Sequence, residues 1–115
     1  MTNKIMSAWK ITAASIAASG SFTSGALNIG RGENFSVAVT AVTGTSPDFS
    51  ITYTACPTED GTFISPASNT IAANADTTGI WSFTPVPTKW IKIVITNNNS
   101  VNAVVPTVIF QMQED

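Results

Sequence analysis

The chain has 115 residues, enough for one domain with a hydrophobic core and too few for two. It contains 17 Thr, 12 Ile and 9 Val but a single Leu, and this excess of β-branched residues favours strands over helices. Histidine is absent and Cys56 is the single cysteine. These counts exclude a Ser-His-Asp triad, a Cys-His dyad, a zinc site of Cys and His ligands and an internal disulfide, so we expect no catalytic residues, no metal and no other cofactor.

Charge is scarce throughout the sequence. Five basic and seven acidic residues give a net charge of −2, and charged residues make up only 10% of the chain. The basic residues are scattered, at Lys4, Lys10, Arg31, Lys89 and Lys92. Because nucleic-acid affinity comes from clustered Lys and Arg, we expect no nucleic-acid partner. Solubility must rest on neutral Ser, Thr and Asn, or a partner must cover much of the surface.

The first residues combine apolar side chains with an ambiguous period. Ile5, Trp9 and Ile16 lie at helical spacing, whereas Trp9 and Ile11 alternate as in a strand. The β-branched content favours an extended arm or a strand. The segment has the outline of a secretory signal, but its apolar run is diluted by Ala, Ser and Thr, and we expect it to be retained. No stretch approaches 18 consecutive apolar residues, so we expect no contact with a membrane.

From residue 20 onward, short runs with alternating apolar residues recur between clusters of Gly, Pro, Asn and Asp, a pattern typical of sandwiches and barrels. The pattern predicts an all-β fold, a single antiparallel β-sandwich of jelly-roll or Ig-like type with seven to eight strands over residues 20–115. Residues 1–19 form an extended N-terminal arm or a first strand. The candidate strands are Ser21–Ile29, Asn34–Thr43, Asp48–Cys56, Thr62–Ser65, Asn69–Ala73, Ile80–Thr84, Trp90–Thr96 and Asn102–Gln113.

The alternation also predicts which side chains form the core. The main candidates are Phe35, Val37, Val39, Ile51, Ile91, Ile93, Ile95 and Phe110. We expect the runs Asn34–Thr43 and Asp48–Cys56 to pair as a hairpin through the turn at 44–47. Pro106 lies inside the last run, and because proline cannot donate to a ladder we place it on an edge or at a bulge.

Few residues suggest chemistry. Glu59 and Asp60 are adjacent, with Asp76 in a later loop, but they lack the spacing of a calcium loop, and we interpret residues 58–61 as a turn ending in Asp-Gly. A glycosidase-type carboxylate pair is the alternative.

Cys56 is expected to be a small buried or half-buried hydrophobe. The tryptophans Trp9, Trp81 and Trp90 either fill the sandwich or form a platform on which a sugar stacks.

Two motifs of the chain resemble those of small β-sandwich accessory virion proteins of tailed bacteriophages. Thr58-Glu59-Asp60-Gly61-Thr62-Phe63 is similar to the pattern S-N-D-G-T-x-W/F of that family. Trp90-Ile91-Lys92-Ile93-Val94-Ile95-Thr96 is similar to its late strand Y-I-R-V-x-V-T. The chain departs from the patterns at Thr58-Glu59 and at Lys92, and the likeness covers about residues 34 to 113.

The resemblance implies a non-enzymatic structural protein of the virion, assembled in the host cytoplasm. It would be a capsid decoration or cement protein, or another head or tail accessory, that binds the major capsid protein or another virion protein. A homo-oligomer is expected. From the residues themselves we expect Ile5, Trp9, Ile11 and Ile16 to bind the partner, because they precede the core and would be exposed on a monomer unless the arm folds back on its own edge strand. The alternative is a carbohydrate-binding or adhesin-like module that uses exposed Trp residues.

Overall fold

The computed structural model describes residues 5–12 and 14–114. These residues form an all-β structure without helices, and β-branched residues occur in nearly all of its strands. The nine strands are β1 (Ile5–Thr12), β2 (Ser21–Thr23), β3 (Leu27–Asn28), β4 (Gly32–Gly44), β5 (Phe49–Cys56), β6 (Thr70–Ala75), β7 (Gly79–Phe83), β8 (Trp90–Asn97) and β9 (Val104–Glu114).

The strands form two antiparallel sheets. One sheet has four strands in the order β1-β9-β4-β7. The other has five, in the order β2-β8-β5-β6, with β3 also paired to β8. The two sheets enclose one core, so the predicted sandwich is confirmed, with nine strands in place of seven or eight.

Alternation places the predicted side chains between the sheets. From the five-stranded sheet come Phe49, Ile51, Tyr53, Ile91, Ile93 and Ile95, and from the four-stranded sheet come Val37, Val39, Val104, Val108, Phe110 and Met112, all of them buried. The predicted core residue Phe35 is partly buried and packs against this cluster. Burial of each large side chain contributes about 1.5–3 kcal/mol, and these contributions dominate the stability of the sandwich.

The predicted hairpin of the runs 34–43 and 48–56 is wrong. β4 pairs with β7 and β9, whereas β5 pairs with β6 and β8 in the other sheet. The link between them crosses from one sheet to the other. It begins after Gly44, whose φ is 151° and where a Cβ would lie 2.9 Å from the Ala103 carbonyl oxygen. The sequence indicates a turn at this point but not which sheet receives the next strand.

The structure differs from the prediction at two of the expected strands. The run 21–29 is divided into β2 and β3 because Ser24 bonds to Ile93 with both its backbone N–H and its side chain: its N–H donates to the Ile93 carbonyl, and its Oγ accepts from the Ile93 N–H, each at 2.9 Å. The run 62–65 forms no strand, only an isolated bridge between Ile64 and Ala55.

Pro106 lies in β9, an inner strand of the sheet, so of the two predicted placements the edge strand is wrong and the bulge agrees with the pairing around it. It pairs with Val42 of β4, next to the register shift between Val39 and Ala41. On its other side, the pairing of β1 with β9 ends at Val108. Regular pairing is therefore interrupted on both sides of Pro106. Because proline has no N–H to donate to a ladder, it is tolerated at such a position.

The link from β1 to β2 is fastened to the sandwich by Ile16 and Asn97. Ile16 pairs with Val104 through two backbone hydrogen bonds, and its side chain is only 4% exposed. The buried Asn97 amide donates to the carbonyls of Ile16, Ala17 and Asn102 at 3.0–3.2 Å, and its Oδ1 accepts from the Asn99 N–H. One neutral side chain thus joins two loops at the end of β8.

The outer face of β5 carries the single cysteine of the chain, Cys56. Cys56 is buried there although it points away from the core, because the turn at 58–61 covers it. The Cys56 Sγ lies 3.6 Å from the Thr58 Oγ1, and a Cβ on Gly61 would come within 2.6 Å of the sulfur. The expected burial of Cys56 is confirmed.

We expect Asn97→Ala to lower the free energy of unfolding by about 2–4 kcal/mol, because buried carbonyls lose their donor. Denaturant unfolding followed by fluorescence measures this change. The matched control is Asn98→Ala, whose exposed amide bonds Asp48 and Ser50 at the surface, and which should cost less than about 1 kcal/mol. Equal effects of the two substitutions would contradict the role assigned to Asn97.

The burial of Cys56 predicts that its thiol is protected in the folded protein. A thiol reagent of the size of an aromatic disulfide should react with it only when the turn at 58–61 opens, and rapidly in denaturant. The measurement is the rate of labelling with and without denaturant. Fast stoichiometric labelling of the native protein would show that the turn does not cover the sulfur.

Candidate functional site

The strand β1 is an edge of the four-stranded sheet. It pairs with β9 from Ile5↔Glu114 to Thr12↔Val108, and no strand within the described residues pairs with its other side. Two of its apolar side chains are unusually exposed, Ile5 at 60% and Met6 at 59%. An edge strand with free backbone groups and exposed apolar side chains is a template for pairing with another chain.

The four residues predicted to bind a partner differ in how far the fold buries them. Ile5 is exposed, and Trp9 is 37% exposed. Ile11 is half-buried and packs against the core, and Ile16 is a buried core residue. The expectation that all four would be exposed on a monomer is therefore wrong for Ile11 and Ile16, because the segment folds back on β9 as a first strand, the predicted alternative to an extended arm. Partner binding by Ile5 and Trp9 stays a prediction.

Met6 was missed by the sequence reasoning. It directly follows Ile5 in β1 and therefore lies on the opposite face of the strand from Ile5 and Trp9. The alternation of β1 would have indicated this, had the segment been recognised as a strand rather than left open as an arm.

A cleft of about 730 Å³ lies beside Trp9. It is lined by Trp9, Asn28, Gly30, Arg31, Thr88, Lys89, Met112 and Glu114. These residues come from β1, from β3 and the turn that follows it, from the segment before β8 and from the end of β9. The cleft therefore lies where the β1 edge of one sheet faces the β3 edge of the other.

The turn that borders the cleft is held firmly. The buried Ile29 anchors it in the core, and the Ile29 N–H donates to the Lys89 carbonyl at 2.8 Å. The Asn28 Oδ1 accepts from the Gly30 N–H at 3.0 Å, and the Gly32 N–H closes the turn on the Ile29 carbonyl. Gly32 itself has no room for a Cβ, which would meet the side chains of Phe35 and Met112.

Trp9 forms the apolar wall of the cleft. Its ring stacks on Phe110, with the ring centroids 5.5 Å apart and the planes inclined by 28°. Because Trp9 and Phe110 are direct cross-strand partners, the indole lies on the core-facing side of the sheet, at its edge. The contact with the buried Phe110 fixes the ring while leaving part of it in the cleft.

The other two tryptophans are placed differently. Trp81 is partly buried and packs against the core, as expected for a residue that fills the sandwich. Trp90 pairs with Cys56 and Asn28 on the outer face of β8 and is half-buried. Trp9 is the tryptophan that the structure places in a cleft.

The candidate acidic residues are not gathered into a site. Glu59 and Asp60 lie in the exposed turn after β5, and Asp76 is exposed in the link between β6 and β7. Within residues 5–12 and 14–114, no three His, Cys, Asp or Glu side chains are grouped so as to hold a metal ion. The same part of the chain has no helix with the length and apolar character needed to cross a lipid bilayer.

Comparison with known proteins gives a likeness at the level of the fold. No protein-family model matches the sequence, and no curated protein matches it. Among solved structures, the chain is similar to the crystal structure of the SPBc2 prophage-derived protein YomS, with a TM-score of 0.57 and 15% sequence identity. The match covers 99% of this chain and 97% of that protein, so the two share one fold over their whole length.

Proposed function

We propose that this chain is a non-enzymatic structural protein of a tailed-bacteriophage particle, acting as a capsid decoration or cement protein or as another head or tail accessory. The observation that carries the proposal is the free edge of β1, with Ile5 and Met6 exposed along it. Such an edge is suited to assembly, because pairing satisfies backbone groups and buries apolar side chains at the same time.

Two independent likenesses support the phage assignment. The motifs around Asp60-Gly61 and Trp90–Thr96 resemble those of small accessory virion proteins. The fold is shared over its whole length with a protein derived from a prophage. The first likeness rests on local sequence and the second on a fold similarity that covers 99% of the chain, so neither depends on the other.

The scarcity of charge also supports a role in assembly. Few ion pairs are available to such a chain, so an interface must rely on shape, apolar burial and backbone pairing. A stable contact requires about 1,000 Å² or more of total buried surface. We infer that β1 pairs with β1 of a second copy, forming a homo-oligomer, and that this oligomer docks on the major capsid protein or another virion protein.

The β1 edge predicts a substitution that weakens self-association. Met6→Lys places a charge on the exposed edge, and because the native side chain is largely open to solvent the fold should persist. Loss of one buried apolar side chain from the interface should weaken association about tenfold or more. Sedimentation velocity over a concentration series measures the dissociation constant.

The matched control is Ile80→Lys on β7, the opposite edge of the same sheet, where Ile80 is 71% exposed. It should leave association unchanged. If Ile80→Lys dissociates the oligomer and Met6→Lys does not, the interface lies on β7. A wild-type chain that stays monomeric at all concentrations would defeat the homo-oligomer.

The proposed role predicts that the chain is a component of particles. Particles purified by density gradient from the cells that encode it should contain the chain in a fixed ratio to the major capsid protein. Quantitative mass spectrometry of successive gradient fractions measures this ratio. Particles that lack the chain, or a chain lost by washing at neutral pH and moderate salt, would contradict a structural role in the virion.

A further inference from the structure

The cleft beside Trp9 brings together two of the five basic residues of a chain that has little charge. Arg31 and Lys89 reach it from different segments, one after β3 and the other before β8. Both side chains are exposed, and neither makes an ion pair or side-chain hydrogen bond with the described residues. Scattered in sequence, the two cations converge in the fold next to an exposed indole.

We propose that this cleft binds an acidic saccharide, a pyranose ring that carries a carboxylate, such as a hexuronate unit. The proposal rests on the cleft alone and not on the role in particle assembly. The volume of about 730 Å³ falls in the range of ordinary small-ligand sites and accommodates one to three sugar rings.

The apolar part of the ligand would contact Trp9. The indole packs on Phe110, and the buried Met112 also lines the cleft. A pyranose presents a face of C–H groups that matches the flat apolar surface of an indole. Because Phe110 holds the ring in place, little side-chain entropy is lost when a ligand stacks on it.

The polar part of the ligand would use the remaining lining residues. The carboxylate would lie between Arg31 and Lys89, since hydrogen bonds from these cations to a carboxylate are charge-assisted. The Asn28 Nδ2 group is a donor for hydroxyl oxygens, while its Oδ1 is already used by the turn. Glu114, which accepts from the Ser7 hydroxyl at 3.2 Å, is an acceptor for sugar hydroxyls.

This mixture of groups favours a saccharide over an acidic peptide or a nucleic acid. Glu114 would repel a ligand that carried only negative charge, but it accepts from a neighbouring hydroxyl. Two cations are too few for the counterion release on which nucleic-acid affinity depends. A ring with one carboxylate and several hydroxyls matches the two cations, the Asn28 amide and the Glu114 carboxylate of the cleft.

The experiment compares trigalacturonate with neutral galactotriose by isothermal titration calorimetry on the full chain. The double variant Arg31→Gln/Lys89→Gln changes two exposed side chains, and its fold is checked by thermal melting. Lys10→Gln is the matched control, because Lys10 is an exposed cation on β1 that does not line the cleft. Trp9→Phe tests the stacking, with Trp90→Phe as its control outside the cleft.

We expect trigalacturonate to bind at least tenfold more tightly than galactotriose, and the double variant to lose at least tenfold in affinity while Lys10→Gln stays unchanged. Trp9→Phe should weaken binding and Trp90→Phe should not. Equal affinity for the neutral and acidic sugars, absence of binding at millimolar concentration, or tighter binding of a triglutamate peptide would each overturn the proposal. A loss shared by Lys10→Gln would show nonspecific charge attraction and overturn it as well.

Discussion

The pairing of β9 with a neighbour on each side is the interaction on which the rest of the molecule depends. Its alternate residues fill the core, and β4 accompanies it over nearly its whole length. On its other side β9 holds β1, which would otherwise be an exposed apolar arm. That pairing sets Trp9 on Phe110 beside the cleft and leaves the far edge of β1 open. Both proposed surfaces therefore take their positions from β9.

Neutral hydrogen bonds stabilise the points where the ladders are interrupted. Ser24 bonds to Ile93 between β2 and β3, and Asn97 joins the loops at the end of β8. The Tyr53 hydroxyl accepts from the Val86 N–H, and the Thr88 hydroxyl donates to the Cys56 carbonyl, so the segment before β8 is held to β5. A chain rich in Ser, Thr and Asn can satisfy such backbone groups without burying charge, which would cost far more.

How far the sequence predicts this structure depends on the range of each interaction. Alternation is local, so the buried faces of β5, β8 and β9 could be predicted. Strand partners are set by distant residues, and the hairpin between β4 and β5 was therefore wrong although both strands were found. The burial of Ile16 follows from its bridge to Val104, about ninety positions along the chain. The cleft could not be predicted from the sequence, because its cations and its indole come from separate segments of the chain.

The two surfaces of β1 can act independently because a strand has an edge as well as two faces. Ile5 and Trp9 share the face that looks toward the core and the cleft, whereas Met6 and Lys10 lie on the opposite face. Lys10 and the register shift after it protect only the last part of the edge, so the first residues are the part that pairing would cover. A strand added along this edge would run beside Trp9 without displacing it from Phe110. The edge is thus suited to a protein partner, and the fixed indole to a ligand that enters between the sheets.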